Sequence, residues 1–90
     1  MSQCIGKVIA IGETRTGESQ RGKWASLQWV VEEQSQQYPE VWVLETFGQD
    51  NIDKFDVHIG DVVSVKYTAR STEKNGIYYP SNRPWEVEKQ

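Results

Sequence analysis

The feature that most constrains the fold of this chain is an Asn-Gly pair set between two stretches of strand character. Asn75-Gly76 suits the positive φ angles of a type I′ turn, which joins two antiparallel strands through two residues. The stretch before it, "DVVSVKYTAR", alternates, and its apolar face consists of Val63, Val65, Tyr67 and Ala69. "IYYP" follows the pair. We therefore predict a long hairpin in which residue 74 pairs with 77 and residue 72 with 79.

Three stretches in the first half of the chain also have strand character. "CIGKVIAIGET" is apolar on both parities and contains two glycines, which is typical of a strand that is covered on both sides or sharply curled. "KWASLQWVVEE" alternates, with a predicted core face of Ala25, Leu27, Trp29 and Val31. "EVWVLETFG" is the predicted third strand, with Trp42 in the core, and the polar segment "TRTGESQRG" is a predicted loop.

A short helix is predicted between the third strand and the hairpin. In "QDNIDKFDVHIGD", Asp50 is a suitable N-cap residue. Ile52, Phe55 and Ile59 recur at the helical spacing i, i+3 and i+7. We expect one or two turns that end before Gly60.

Three strands, a short helix and a hairpin follow one another in the order of an OB-fold. We therefore predict an all-β protein, with residues 1–90 forming one five-stranded Greek-key barrel that has a helix between strands three and four. An SH3-like barrel is the main alternative, and the helix after the third strand favours the OB-fold.

Composition excludes several functional classes. Cys4 is the single cysteine, so no internal disulfide can form, and no zinc or haem motif is present. No apolar stretch is long enough to cross a membrane, and the N-terminus lacks the pattern of a signal peptide, so we expect a cytoplasmic protein. The lone His58 and the absence of a Gly-rich phosphate loop argue against an enzyme, a cofactor or a catalytic metal. Asp50, Asp53 and Asp56 are expected to form a solvated helix face.

Charge is distributed unevenly along the chain, whose net charge is −3. Residues 31–62 contain eight acidic residues and one lysine, whereas four basic residues face two acidic ones before this segment and five face three after it. A local basic surface matters more for binding than the net charge. The basic ends therefore remain compatible with a polyanionic ligand.

Ligands of OB-folds lie across strands two and three, between the loop that follows strand one and the loop that follows strand four. The first of these loops supplies Arg15, Arg21 and Lys23, and the second is flanked by Arg70 and Lys74. Such cations could contact phosphates, and exposed rings could stack on bases.

Four aromatic residues are candidates for stacking. Trp24 and Phe47 lie on the non-core parity of strands two and three, whereas Trp29 has core parity. Tyr78 and Tyr79 must point to opposite faces, and the predicted register places Tyr79 with Arg70. A bulge or break near residues 80–84 is expected, because it would return Trp85 and Val87 to the core.

From the third strand onward, the sequence combines Phe47-Gly48, a following helix, Gly60-Asp61 and an alternating fourth strand. In this order of motifs it resembles bacterial single-stranded DNA-binding proteins. Three further motifs are Gly6-Lys7-Val8-Ile9, Tyr38-Pro39, and Asn75-Gly76 followed by Tyr78-Tyr79. In these the sequence resembles a small bacterial family of about this length, common in Bacteroidetes.

The resemblance implies an OB-fold that binds single-stranded DNA, with RNA also possible, and a homodimer or homotetramer. The predicted binding is non-specific for sequence, which suits replication, repair, recombination or a phage or mobile-element function. The alternative is a protein-interaction module or homo-oligomeric accessory protein that uses the same rings and cations as an interface. A weaker third possibility is oligosaccharide binding.

Overall fold

The computed structural model describes residues 2–34 and 37–90. These residues form six strands and one helix. In chain order the elements are β1 Ser2–Ile11, β2 Arg15–Ser19, β3 Gly22–Glu32, β4 Val41–Phe47, α1 Gln49–Phe55, β5 Val62–Lys74 and β6 Ile77–Lys89.

The sheet closes into a barrel because β1 pairs with two strands. Its first half pairs with β5 and its second half pairs with β3, and the two pairings meet at Lys7. Gly6 permits this sharp curl, since a Cβ atom there would lie 2.3 Å from the backbone oxygen of Glu32. β4 and β6 complete the closure through a parallel pairing at Leu44 and Asn82. The predicted OB-fold and the curled first strand are confirmed.

The barrel has an additional strand that the sequence analysis assigned to a loop. β2 pairs with the start of β3 from Arg15–Ser26 to Ser19–Gly22, and the chain turns at Gln20 and Arg21. The segment is exposed on both faces except at Gly17, so it carries no apolar alternation. The prediction of a loop was wrong because ladder hydrogen bonds, and not side-chain burial, define this strand.

The core consists of residues that point inward from β1, β3, β4 and β5. The predicted core face of β3 is confirmed, since Ala25, Leu27, Trp29 and Val31 are all buried. The indole nitrogen of Trp29 donates a hydrogen bond of 2.9 Å to Thr46 Oγ1, which satisfies the polar atoms of both buried side chains. Trp42 packs against this core and is partly buried.

The predicted short helix that ends before Gly60 is confirmed, although its apolar pattern continues to Ile59. Its N-cap is Gly48, and no side chain caps it, so the assignment of Asp50 as N-cap was wrong. Phe55 is buried, but Asp56 takes a left-handed conformation with φ of 45° and ends the helix. Ile59, which the helical spacing had included, therefore lies beyond the helix and is 67% exposed.

The hairpin of β5 and β6 has the predicted turn and register. Asn75 and Gly76 both have positive φ, and Lys74 pairs with Ile77 and Thr72 with Tyr79. The hairpin is longer than the barrel is deep. Residues 68–80, here called the arm, are all exposed, so the prediction that Ala69 lies in the core was wrong.

The predicted irregularity in β6 is a bulge at Trp85. Pro84 pairs with Tyr67 and Glu86 with Lys66, which leaves Trp85 without a partner residue. The bulge lets Val87 pack against the core, as predicted. Trp85 itself remains 46% exposed, with the Lys66 ammonium 5.8 Å from its ring centre, so its predicted return to the core was wrong.

Candidate nucleic-acid interface

The outward sides of β3 and β4 form a continuous surface, here called the outer face. Its register is fixed by the pairs Ser26–Phe47, Gln28–Glu45 and Val30–Val43. Arg15 of β2 pairs with Ser26 and extends the first of these rows. Because paired residues share a face, Arg15, Ser26 and Phe47 project to the same side of the sheet.

Trp24 lies at one end of the outer face, on the hairpin of β2 and β3. Its partner across the ladder is Gly17, and the indole lies over this glycine. A Cβ atom at position 17 would be 2.4 Å from Trp24 Cζ2, so only glycine admits the ring in this position. Trp24 is nevertheless 45% exposed. The ring is therefore positioned by the backbone beneath it while part of its surface stays open to solvent.

Phe47, at the end of β4, lies close to Trp24. Both rings border a groove of about 660 Å³, which Lys23 and Gln49 also line. The guanidinium carbon of Arg83 is 4.1 Å from the centre of the Phe47 ring, which is cation–π geometry. Arg83 Nε is buried and has no hydrogen-bond partner among the described residues. The Phe47 ring is therefore the contact that the buried Nε side of the Arg83 guanidinium has within the described residues.

A second, polar pocket of about 330 Å³ adjoins the Ser26–Phe47 row. Its walls include Arg15, Ser26, Gln28 and Glu45. Ser81 Oγ donates a hydrogen bond of 3.2 Å to Glu45 Oε1 from the neighbouring strand β6. A carboxylate thus lies on the outer face, two residues from Phe47 along β4.

The arm lies at the other end of the outer face. β6 runs parallel to β4 at Leu44–Asn82, so the start of β6 extends past the start of β4, away from Phe47. Tyr79 pairs with Thr72 and shares the side of the ribbon that carries Arg70 and Arg83, as the sequence predicted for Tyr79 and Arg70. Tyr78 points to the opposite side and is 72% exposed.

The structure divides the predicted site residues into two groups. Arg15, Lys23, Trp24 and Phe47 gather at the β2–β3 end, where Arg21 occupies the hairpin turn. Arg70, Lys74, Tyr78 and Tyr79 belong to the arm, with Lys74 beside its turn. β3 and β4 therefore lie between the two groups, and the rings are at opposite ends of the outer face.

Sequence reasoning missed Arg83 as a member of the site. The hairpin register that placed Tyr79 outward also places Arg83 outward. Arg83 lies four residues after Tyr79 on the same face of β6 and pairs with Thr68. Extending the alternation of β6 from Tyr79 to residue 83 would have identified Arg83 as outward-facing. Its contact with Phe47 depends on the β4–β6 pairing, which local patterns do not specify.

Two titratable groups with shifted pKa values lie away from the outer face. Burial raises the pKa of the Cys4 thiol to about 11, so the thiol stays protonated at neutral pH. The His58 backbone N–H, which donates to Asp61, lowers the pKa of that carboxyl, and Lys89 adds to the effect. Within residues 2–34 and 37–90, no group of three or more His, Cys, Asp or Glu side chains is placed to hold a metal ion.

Residues 3–88 match the family model described as a domain of unknown function, DUF3127. The chain belongs to this family. No curated protein matches it.

No helix in the described parts of the chain has the length and apolar character that crossing a membrane requires.

Solved structures with a similar fold include the mitochondrial single-stranded DNA-binding protein Rim1 from S. cerevisiae. One crystal form matches with a TM-score of 0.68 at 15% identity and covers 98% of this chain and 90% of Rim1. A second form matches with a TM-score of 0.68 at 16% identity and covers 98% and 91% of the two chains. At this identity the likeness shows the OB-fold.

Proposed function

We propose that this protein binds single-stranded DNA through the outer face and the arm. Trp24 and Phe47 stack on bases, while Arg15, Lys23 and Arg83 contact the phosphates next to them. Arg21, Arg70 and Lys74 extend the contact to phosphates further along the strand, and Tyr79 offers a ring on the arm. Tyr78, on the reverse side of the arm, contributes less.

One observation carries this proposal. Trp24 and Phe47, which are 45% and 38% exposed, line one groove together with Lys23, and the Arg83 guanidinium lies over the Phe47 ring. Exposed rings side by side, with cations next to them, are the arrangement that base stacking and phosphate contacts require. The fold shared with Rim1, whose structures are described as single-stranded DNA-binding proteins, supports DNA as the ligand.

The proposal is tested by fluorescence anisotropy with labelled oligo-dT of about 12 nucleotides, a length within the range of OB-fold sites. Affinity is expected to fall with salt, with a log–log slope of about −0.7 for each phosphate neutralised. The double variant Trp24→Ala/Phe47→Ala should bind at least about tenfold more weakly, since each stacked base contributes ~1–3 kcal/mol.

Trp85→Ala is the matched control, because Trp85 is as exposed as Trp24 but lies at the bulge next to α1. This variant should bind oligo-dT like the parent protein. The absence of binding at low salt, or equal losses from the two tryptophan sites, would contradict the proposal. Oligo-U in place of oligo-dT separates DNA from RNA as the preferred ligand.

Self-association is a second candidate function, favoured by aliphatic side chains between the two ends of the outer face. Val41 and Val43 are 51% and 44% exposed, and Val43 shares a row with Val30 and Ala10. We propose that a homodimer or homotetramer covers these side chains. Light scattering after size exclusion should then give a multiple of the 10.4 kDa chain mass, and Val43→Lys should give the monomer. A monomeric parent protein would contradict it.

A cytoplasmic location, a bacterial source of the Bacteroidetes type and a role in replication or repair stay predictions from the sequence.

A further inference from the structure

The polar pocket of the outer face has no place in a site that binds only phosphates and stacked bases. Glu45 sits at its wall, and a second carboxylate, Glu13, lines it. These two carboxylates outnumber the one cation of the pocket, Arg15, so a phosphate is a less suitable occupant here than in the groove of Trp24 and Lys23. The groups that a carboxylate binds well are N–H donors, and in a nucleic-acid strand only the bases carry these donors.

The pocket also holds unused donors next to the carboxylate. In the described parts of the chain, neither Arg15 nor Gln28 has a side-chain hydrogen bond or ion pair, and Glu45 has the single partner Ser81. Gln28 is directly opposite Glu45 in the β3–β4 ladder. The pocket therefore presents an amide donor, a guanidinium and a carboxylate with free acceptor capacity.

The position of the pocket suits a base that stacks on Phe47. Glu45 and Phe47 are two residues apart on the same face of β4, and such residues lie about 7 Å apart. A purine lying on or beside the Phe47 ring can therefore extend its hydrogen-bonding edge over Glu45. Bases of single strands are read in this way, by stacking on a ring and bonding through the Watson–Crick edge.

We propose that this pocket recognises guanine, so that the protein prefers a guanine at one position of an otherwise sequence-tolerant site. This inference rests on the proposed function. Guanine presents two adjacent donors, N1–H and the N2 amino group, which match the two oxygens of Glu45. Its O6 accepts from the amide of Gln28, which lies directly opposite Glu45.

The other bases fit this arrangement less well. Thymine offers one N–H between two carbonyl oxygens, and both oxygens would face the carboxylate at a repulsive distance. Cytosine and adenine each offer one amino group beside a ring nitrogen that is an acceptor. A pair of parallel hydrogen bonds to a carboxylate is stronger and more selective than a single one.

The test compares labelled oligo-dT of about 12 nucleotides with the same strand carrying one central guanine. The parent protein should bind the guanine strand at least about fivefold more tightly, the lower end of what a bidentate contact contributes. A strand with inosine in place of guanine lacks the N2 amino group. It should lose most of this advantage.

Glu45→Gln keeps the shape of the side chain but removes its charge and one acceptor. We expect it to reduce the guanine advantage to less than about twofold. Glu40→Gln is the matched control. It removes the same charge from a residue outside the pocket, so it should keep the parent preference.

The outcomes separate this inference from the proposed function. Binding of both strands with equal affinity overturns guanine recognition and leaves strand binding in place, as does a preference that survives Glu45→Gln. Failure to bind either strand at low salt overturns both proposals.

Discussion

At the β2–β3 end of the outer face, each ring rests on protein, whereas in the arm the rings project into solvent. Trp24 lies over the backbone at Gly17, and Phe47 is in contact with the guanidinium of Arg83. Tyr79 and Tyr78 belong to a two-stranded ribbon in which every residue from 68 to 80 is exposed. Such a ribbon has no core beneath it and is only marginally stable by itself.

From this difference we infer that, under the proposed function, similar residue types at the two ends should contribute unequally to binding. A ring already held in place loses little freedom when a base stacks on it. A mobile side chain costs about 0.5–1.5 kcal/mol to immobilise, and this cost offsets part of the stacking energy. The β2–β3 end should therefore supply most of the affinity, and the arm should add phosphate contacts.

The sharpest test of this comparison exchanges one ring at each end for alanine. Trp24→Ala should weaken oligo-dT binding by ~1–3 kcal/mol, which is about 5- to 150-fold. Tyr79→Ala should cost less than about 1 kcal/mol, because ordering of the arm offsets its stacking energy. Anisotropy titrations of both variants measure the two losses. A larger loss for Tyr79→Ala would reverse the comparison.

The support beneath Trp24 can be removed without removing the ring. Gly17→Ala places a methyl group where the indole lies, since the new Cβ atom would be 2.4 Å from Trp24 Cζ2. The ring must move, and we expect a loss of several-fold in oligo-dT affinity, smaller than that of Trp24→Ala. In a Trp24→Ala background, Gly17→Ala should have no further effect. Additive losses would show that Gly17 acts independently of the ring.

Cations at the β2–β3 end should also contribute more to oligo-dT affinity than cations in the arm. Arg83→Lys keeps the charge but loses the planar contact with Phe47, so affinity should fall by about 0.5–1 kcal/mol with the salt slope unchanged. Arg70→Ala, in the arm, should reduce the slope by about 0.7 while affinity at moderate salt changes little. Titrations over a series of salt concentrations separate the two effects. An altered slope in Arg83→Lys would assign that residue a purely electrostatic role.

Asp61 lies away from both ends of the outer face, so a substitution there tests whether barrel stability alone affects binding. The pKa of Asp61 is lowered by the His58 backbone N–H and by Lys89, so its ionised form stabilises the fold above the ordinary Asp pKa. That contribution is lost as the pH falls through the lowered value. Asp61→Asn should therefore lower the urea midpoint at about pH 7 and differ less from the parent protein at about pH 3.

Oligo-dT affinity at neutral pH should be the same in Asp61→Asn as in the parent protein. A change in affinity would mean that the stability of the barrel, and not the support of individual rings, governs binding at the outer face.

Alternation and turn chemistry determined much of this protein from sequence alone. Both are local properties of the chain. Because one face of β3 had to be buried, the alternation alone assigned Leu27 and Trp29 to the core. The Asn75-Gly76 turn likewise fixed the register of the arm, because a two-residue loop allows one pairing. Outward parity was also sufficient to assign Trp24 and Phe47 to the side of the sheet that faces away from the core.

The tertiary structure decided how long each element is and what its exposed residues touch. Ile59 and Ala69 follow the apolar pattern of their elements, yet the helix ends at Phe55 and the barrel ends at Tyr67, so neither is buried. The contact of Arg83 with Phe47 and that of Ser81 with Glu45 arise where β6 crosses to β4. Pairings between strands distant in sequence set these contacts, and periodicity within one strand carries no information about them.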